Sequence, residues 1–170
     1  MPAAVPAATS PYIDRLAERM SAGGCEVTRA TLDGLPVTLG HRSGLMLAVK
    51  MHILVAAVRL PHVYEHDVAR FTWAAMEAAK RRKGSLLAPT GVAVLAVLVV
   101  DGAEEGAKAL ARRTPSVDIA GDAHPVVVSQ DDRQVHTPHR RRLVGEATNA
   151  YTRRTKRRYL PDPRDFPGPL

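Results

Sequence analysis

The apolar residues of this chain change their spacing from one segment to the next, and each spacing predicts a different element. A capping pair, Ser10-Pro11, opens a stretch with apolar residues at helical intervals that stops at Gly23-Gly24, so a short amphipathic helix is predicted there. Asp33-Gly34 then predicts the turn of a β-hairpin. Ser43-Gly44 predicts the end of its second strand, which we expect near a sheet edge.

Two longer apolar runs, Leu45 to Val58 and Thr90 to Val100, have the Val, Leu and Ile composition of strands that are buried on both faces. Between them, Val63 to Lys83 follows a period of 3.6 and predicts the longest helix. The predicted core face of this helix holds Tyr64, Val68, Phe71, Ala75 and Ala78. A strand, a helix and a second strand in this order indicate a βαβ unit with parallel pairing.

The rest of the sequence predicts shorter elements. A helix from Ala103 to Arg113 is followed by short strands at Val117 to Ile119, Val126 to Val128 and Arg133 to Thr137, and then by a last helix. The fold class is therefore α/β, a mixed and partly parallel sheet flanked by helices in the order α-β-β-β-α-β-α-β-β-β-α. We predict one globular domain over 10–160, a disordered tail over 1–9 and a Pro-rich tail without regular elements over 161–170.

Positive charge is concentrated near the end of the sequence. The segment from Arg133 to Arg158 holds nine of the 24 Lys and Arg residues and one acid, Glu146, whereas the other 144 residues hold fifteen Lys and Arg against sixteen Asp and Glu. The net charge of +7 is therefore a local property. Such a surface attracts a polyanion within a Debye length, about 8–10 Å, whereas scattered charges mainly keep a protein soluble.

The predicted polyanion-binding residues precede and end the last helix: Arg140, Arg141, Arg142, Arg153, Arg154, Lys156, Arg157 and Arg158. Guanidinium groups bind phosphate oxygens in a fork, and the neighbouring tyrosines can stack on exposed bases, so nucleic acid is the first candidate ligand. Two alternatives stay open, a solvated or salt-bridged helix face and a surface for a protein partner or a second copy. Trp73 and Met76, on the longest predicted helix, are candidates for an apolar interface, with a core position as the alternative for Trp73.

The order of the first elements is similar to that of restriction-endonuclease-like folds. Those nucleases place an acid and then an acid-x-Lys pair on adjacent strands, where the carboxylates hold Mg²⁺. The corresponding strand here offers Ala48-Val49-Lys50, with an alanine in place of the carboxylate, and the nearby acids are Glu26 and Asp33. Because a hard cation needs convergent carboxylates, an active nuclease is not expected, and a degenerate nuclease-like enzyme stays open only as an alternative.

A second resemblance covers five residues. His62-Val63-Tyr64-Glu65-His66 is similar to the H-x-x-E-H pattern of inverzincin metalloproteases, which implies His62 and His66 as zinc ligands and Glu65 as the general base. Asp67-Val68-Ala69 departs from that family's usual continuation, and a distant acid such as Glu146 would have to supply the third ligand. The alternative is a pair of solvent-facing histidines with an acid that favours the helix N-terminus.

The remaining sequence features mainly argue against particular kinds of site. The sequence contains no P-loop and no G-x-G-x-x-G string, so no nucleotide cofactor is expected. His124, His136 and His139 lack the spacing of a closed metal site, and Cys25 is expected to be a small buried residue. A single cysteine and apolar runs shorter than about 18–20 residues favour a cytoplasmic protein without a membrane span.

We therefore predict a non-catalytic binding or accessory module that uses no metal or cofactor. It is expected to contact nucleic acid, another polyanion or a protein partner through the basic last helix. The alternative is a hydrolase, either zinc-dependent through His62 and His66 or nuclease-like around Lys50.

Overall fold

The structure is a computed structural model and describes residues 10–46, 49–82, 90–113, 117–118, 121–138 and 146–170. The helices are α1 (Pro11–Ala22), α2 (Glu65–Arg82), α3 (Glu105–Arg112) and α4 (Glu146–Tyr159), with a short 3-10 turn at Pro163–Asp165. The strands are β1 (Glu26–Leu32), β2 (Leu35–Met46), β3 (Val49–Val63), β4 (Thr90–Ala103), β5 (Val117–Asp118), β6 (Gly121–Ser129) and β7 (Gln134–His136). The predicted fold class and order of elements are confirmed.

The strands form one mixed sheet in the order β1-β2-β3-β4-β6-β5, and β7 also pairs with β6. Strands β1, β2 and β3 make an antiparallel meander. Strands β3, β4 and β6 are parallel, and the crossovers between them carry α2 and α3. The short strands β5 and β7 pair with opposite ends of β6, both antiparallel.

Helices cover both faces of the sheet, because the central strands are apolar on both sides. On β4, Val94 and Leu98 belong to the core cluster shared with α2 and α3. Their neighbours Leu95 and Val97 belong to the cluster shared with α1 and α4. All four side chains are buried, as the continuous apolar composition of a two-sided strand predicts.

Local sequence explains the first helix and the hairpin. The Ser10 hydroxyl accepts a hydrogen bond from the backbone N–H of Ile13 and caps α1. At the hairpin turn, Asp33 and Gly34 both adopt positive φ, 50° and 77°, as a two-residue turn between strands of natural twist requires. Gly23 also permits close packing, because a Cβ there would lie 2.5 Å from the Tyr159 ring.

The segment 160–170 returns to α1 after α4 ends. The Tyr12 hydroxyl donates a hydrogen bond to the Pro161 carbonyl at 2.9 Å, in a buried position. The Arg19 guanidinium donates to the Leu160 carbonyl at 3.0 Å. These contacts join parts of the sequence that lie about 140 to 150 residues apart.

Arg133, in the turn between β6 and β7, holds the next part of the same segment. Its guanidinium donates to three backbone carbonyls, those of Pro163 at 3.4 Å, Phe166 at 2.7 Å and Gly168 at 2.9 Å. The Leu170 side chain is fully buried. Residues 161–170 are therefore packed against the sheet. The prediction that they contain no regular element is wrong, because Pro163–Asp165 form a 3-10 turn.

The structure corrects two other predictions. Strand β2 continues through Ser43-Gly44 to Met46, so Leu45 belongs to β2 instead of the buried strand that follows, and its side chain is 82% exposed. Helix α2 begins at Glu65, and Tyr64 before it is exposed. Tyr64 is therefore not part of the core face, whereas Val68, Phe71, Ala75 and Ala78 are buried as predicted.

Within the described residues, no helix combines the length and apolarity that crossing a bilayer requires.

Candidate polyanion-binding surface

Helix α4 has one face in the core and cations around the rest of its circumference. Thr152, Thr155 and Tyr159 are buried and lie on one side of the helix, because residues three, four and seven apart share a face. At about 100° per residue, the opposite half of the helix carries four of its five cations, Arg153, Arg154, Arg157 and Arg158, whereas Lys156 lies beside the buried face and is half-buried. The predicted outer basic face is therefore present.

Most of these cations have no acidic partner in the part of the chain that the structure describes. Arg153, Arg154 and Arg157 make no hydrogen bond or ion pair there. The Arg158 guanidinium lies 5.9 Å from the centre of the Tyr159 ring, and Lys156 Nζ donates to the Pro138 carbonyl at 3.2 Å. Three of these cations, Arg154, Arg157 and Arg158, are exposed, so their positive charge faces solvent.

A groove of about 560 Å³ runs beside α4. One wall is the end of the helix with Lys156 and Arg157, and the other is the β6–β7 turn with Arg133. Residues 160–164, with Arg164 among them, line the remaining side. Its apolar lining consists of Val135, Leu160, Pro161 and Pro163. The groove thus presents both cations and apolar surface.

Both acids in the groove have cations of their own. The Arg164 guanidinium forms a forked ion pair with Asp162, with contacts of 2.7 to 3.2 Å, and these hydrogen bonds lower the pKa of Asp162 to about 2. Asp132 accepts from Lys108 Nζ at 2.8 Å. Because Arg133 donates only to backbone carbonyls, its charge and that of Arg157 are not offset by these acids.

On the other side of α4, Arg42 from β2 extends the basic surface. It donates to the Gly23 carbonyl at 3.0 Å, and a hydrogen bond with the Tyr159 side chain raises its pKa. Sequence analysis missed Arg42, Arg133 and Arg164 as members of this surface. Only the tertiary fold brings Arg42 beside the helix, whereas Arg133 lies within the basic segment and Arg164 soon after the end of α4, so their sequence positions were available signals.

The other predicted candidates have mixed outcomes. Arg140, Arg141 and Arg142 lie outside the described residues. Trp73 is 65% exposed on α2, and Lys80 Nζ lies 5.5 Å from its ring centre. Met76 is buried in the core beneath α2, so the predicted apolar patch of Trp73 and Met76 is wrong in its second member.

The structure places the H-x-x-E-H residues on two elements. His62 is at the end of β3, whereas Glu65 and His66 are in the first turn of α2. Both imidazoles pack on the Tyr64 ring, with centroid distances of 5.0 Å for His62 and 5.7 Å for His66. The two histidines therefore do not share a helical face. Among the described residues, no group of three or more His, Cys, Asp or Glu side chains could hold a metal ion.

The nuclease-like set is also spread along the sheet. Lys50 pairs with Leu45 on β2, while Asp33 lies beyond the opposite end of that strand, more than about 30 Å away at the usual rise per residue. Asp33 forms an ion pair with Arg70 at 2.6 Å. Glu26 pairs with His41, four residues along β2 from Leu45. These acids do not converge on Lys50, and Ala48 lies outside the described residues.

The most extensive polar cluster joins α3 to the β6–β7 hairpin and surrounds Lys108. The Lys108 side chain is 7% exposed, and its ammonium contacts Asp132 at 2.8 Å and Asp131 at 3.5 Å. Arg112 donates to His136 Nδ1 at 2.8 Å. Because a guanidinium cannot accept, the His136 hydrogen is on Nε2, which donates to Asp132 at 2.9 Å.

The charges of this cluster stabilise one another. Burial opposes ionisation of Asp132, but hydrogen bonds from Lys108 and His136 outweigh it and lower the pKa of this acid. Burial also opposes the charged form of Lys108, yet Asp132 and Asp131 raise its pKa. The Lys108 ammonium is therefore neutralised by its own acids and, being buried, is not available to a ligand.

The chain was compared with protein-family models, curated proteins and solved structures, and none of them matches it significantly.

Proposed function

We propose that this chain is a non-catalytic binding module that contacts a polyanion, nucleic acid in the first place, through α4 and the cations beside it. The observation that carries the proposal is that the basic residues of the chain differ in whether they have acidic partners. Arg154, Arg157 and Arg158 on α4 are exposed, and Arg153, Arg154 and Arg157 have no acidic partner in the described part of the chain, whereas Lys108 is surrounded by acids.

Electrostatics and geometry support nucleic acid as the ligand. Arginines present planar forks that match phosphate oxygens, and their density along one helix matches a ligand with regularly repeated charges. Arg42 and Arg133 extend this basic surface to both sides of α4. A ligand with a single charge would use only one or two of these cations.

The test is a fluorescence titration of labelled oligonucleotides at several salt concentrations. We expect log–log salt slopes of about −0.7 to −0.9 per phosphate contacted, because each contact releases a condensed counterion. The combined variant Arg153→Gln, Arg154→Gln, Arg157→Gln and Arg158→Gln should reduce the magnitude of the slope by the amount expected for about three to four phosphate contacts. Its melting temperature should change by less than about 2 °C, because exposed charges contribute little to stability.

A control variant removes four exposed arginines elsewhere, Arg29, Arg70, Arg81 and Arg113, each replaced by Gln. It has the same net charge as the α4 variant but keeps the α4 surface, so it should retain most of the affinity and the salt slope. No binding at low salt, or equal losses in the two variants, would contradict the proposal.

A further inference from the structure

We infer that the groove beside α4 binds single-stranded nucleic acid, with phosphates on its cations and an unpaired base on its apolar lining. This inference rests on the proposed function and assigns the form of the ligand. It uses Lys156, Arg157 and Arg133 as the cationic walls and Val135 with Leu160 as half-buried apolar lining.

The lining is the first reason to prefer a single strand. A duplex presents phosphates outward and stacks its bases inside, so an apolar surface next to the cations would not contact the faces of its bases. An unpaired strand exposes the faces of its bases, and proteins that bind such strands combine a basic groove with side chains, mostly aromatic, on which the bases stack. In this groove the surface for a base is aliphatic, since Val135 and Leu160 are joined in the lining by its two prolines, Pro161 and Pro163.

The shape of the surface is the second reason. A duplex would meet α4 from outside, on the convex arc that carries Arg154 and Arg158, because the major groove of DNA admits a helix. The concave groove lies to the side of that arc, between the helix and the β6–β7 turn. Arg157 lines it, whereas Arg154, three residues earlier on the same helix, does not.

The far wall of the groove is held by Arg133. Its guanidinium is occupied by the carbonyls of Pro163, Phe166 and Gly168, so it contributes charge from a fixed position instead of closing on a phosphate. We therefore assign Arg133 a positioning role and Arg157 a direct phosphate contact. Replacing Arg133 by Gln should lower the melting temperature as well as the affinity, whereas Arg157→Gln should lower only the affinity.

Arg154→Gln and Arg157→Gln form a matched pair for the test, because both arginines are exposed and neither makes a hydrogen bond in the described part of the chain. The probes are a 12-nucleotide single strand, its duplex, an abasic strand of equal length and a free nucleoside triphosphate. We expect Arg157→Gln to weaken single-strand binding about fivefold or more, the loss of one charge-assisted phosphate contact, and Arg154→Gln to weaken it less. The abasic strand and the triphosphate should both bind more weakly than the 12-nucleotide strand.

The outcomes separate this inference from the proposed function. If no oligonucleotide binds at low salt, the proposed function and the groove assignment both fail. If oligonucleotides bind and the four-arginine variant loses the salt slope, the proposed function stands. In that case, tighter binding of the duplex, equal effects of the two single variants, or equal binding of the abasic strand or the triphosphate would overturn the groove assignment alone.

Discussion

Two groups of basic residues in this fold differ in burial and in whether acidic side chains neutralise them. Around Lys108, the ammonium is almost fully buried and is surrounded by carboxylates from α3 and the β6–β7 turn. On α4, Arg154 and Arg157 are exposed and have no acidic partner in the described residues. The first group joins two elements of the fold, and the second is available to a ligand. The position of the counter-charge therefore distinguishes the two groups better than the number of their cations does.

The largest loss of stability is expected for a charge that has no ionic partner and no contact with solvent. Val94 is fully buried at the centre of β4, and Val94→Asp should unfold the chain. An unpaired carboxylate there costs several kcal/mol, comparable with the whole stability of a typical domain, about 5–15 kcal/mol. Circular dichroism should show no cooperative melting. Thr31→Asp, at an exposed position on β1, is the control and should melt like the parent, and a cooperatively folded Val94→Asp variant would contradict the described core.

Removal of the buried cation should have an intermediate effect. Lys108→Met leaves Asp131 and Asp132 close together without their ammonium, and we expect a loss of about 2 kcal/mol, less than for a fully buried pair because both acids are partly exposed. The melting temperature should fall by about 4–8 °C. Arg154→Met makes the same change of charge on α4 and should be nearly neutral. Equal effects of the two substitutions would remove the distinction between the two groups.

The smallest expected effect is the pH dependence of the stability that is lost in Lys108→Met. The pKa values of Asp131 and Asp132 are lowered in the folded chain, so their contribution to stability is complete above the unfolded value of about 3.9 and disappears as the pH falls through the folded values. The difference in melting temperature between the parent and Lys108→Met should therefore narrow below about pH 4. A difference that stays constant from pH 7 to pH 3 would show that Lys108 acts only through packing.

Elements with a strong local signal were predictable from the sequence. The Asp33-Gly34 turn followed from the backbone preferences of its two residues, and the buried face of α2 followed from its period. The apolar stretch around Leu45 was misassigned, because a continuous run of apolar residues does not show where β2 ends and β3 begins. Met76 was misplaced for a related reason, since a helix covered by both the sheet and α3 has a wider apolar face than one with a single neighbour.

The candidate surface was predictable only where it is local. The cations of α4 follow each other in the sequence, so the outward positions of Arg154, Arg157 and Arg158 could be derived from the helical period. The groove could not be derived, because it requires the β6–β7 turn with Arg133 to meet the end of α4 through the tertiary fold. The Lys108 cluster was missed for the same reason, since two of its acids, Asp131 and Asp132, lie 23 and 24 residues from the lysine.

The docking of residues 160–170 on α1 also has a consequence for the order of folding. The hydrogen bond from Tyr12 to Pro161 closes a loop of 149 residues, and the entropic cost of closure rises with the length of the loop. Contacts between neighbouring strands of the β1–β3 meander close much shorter loops and should form earlier. We therefore expect the segment that completes the groove to dock late, after the sheet exists, so that the proposed ligand-binding surface is among the last parts of the molecule to mature.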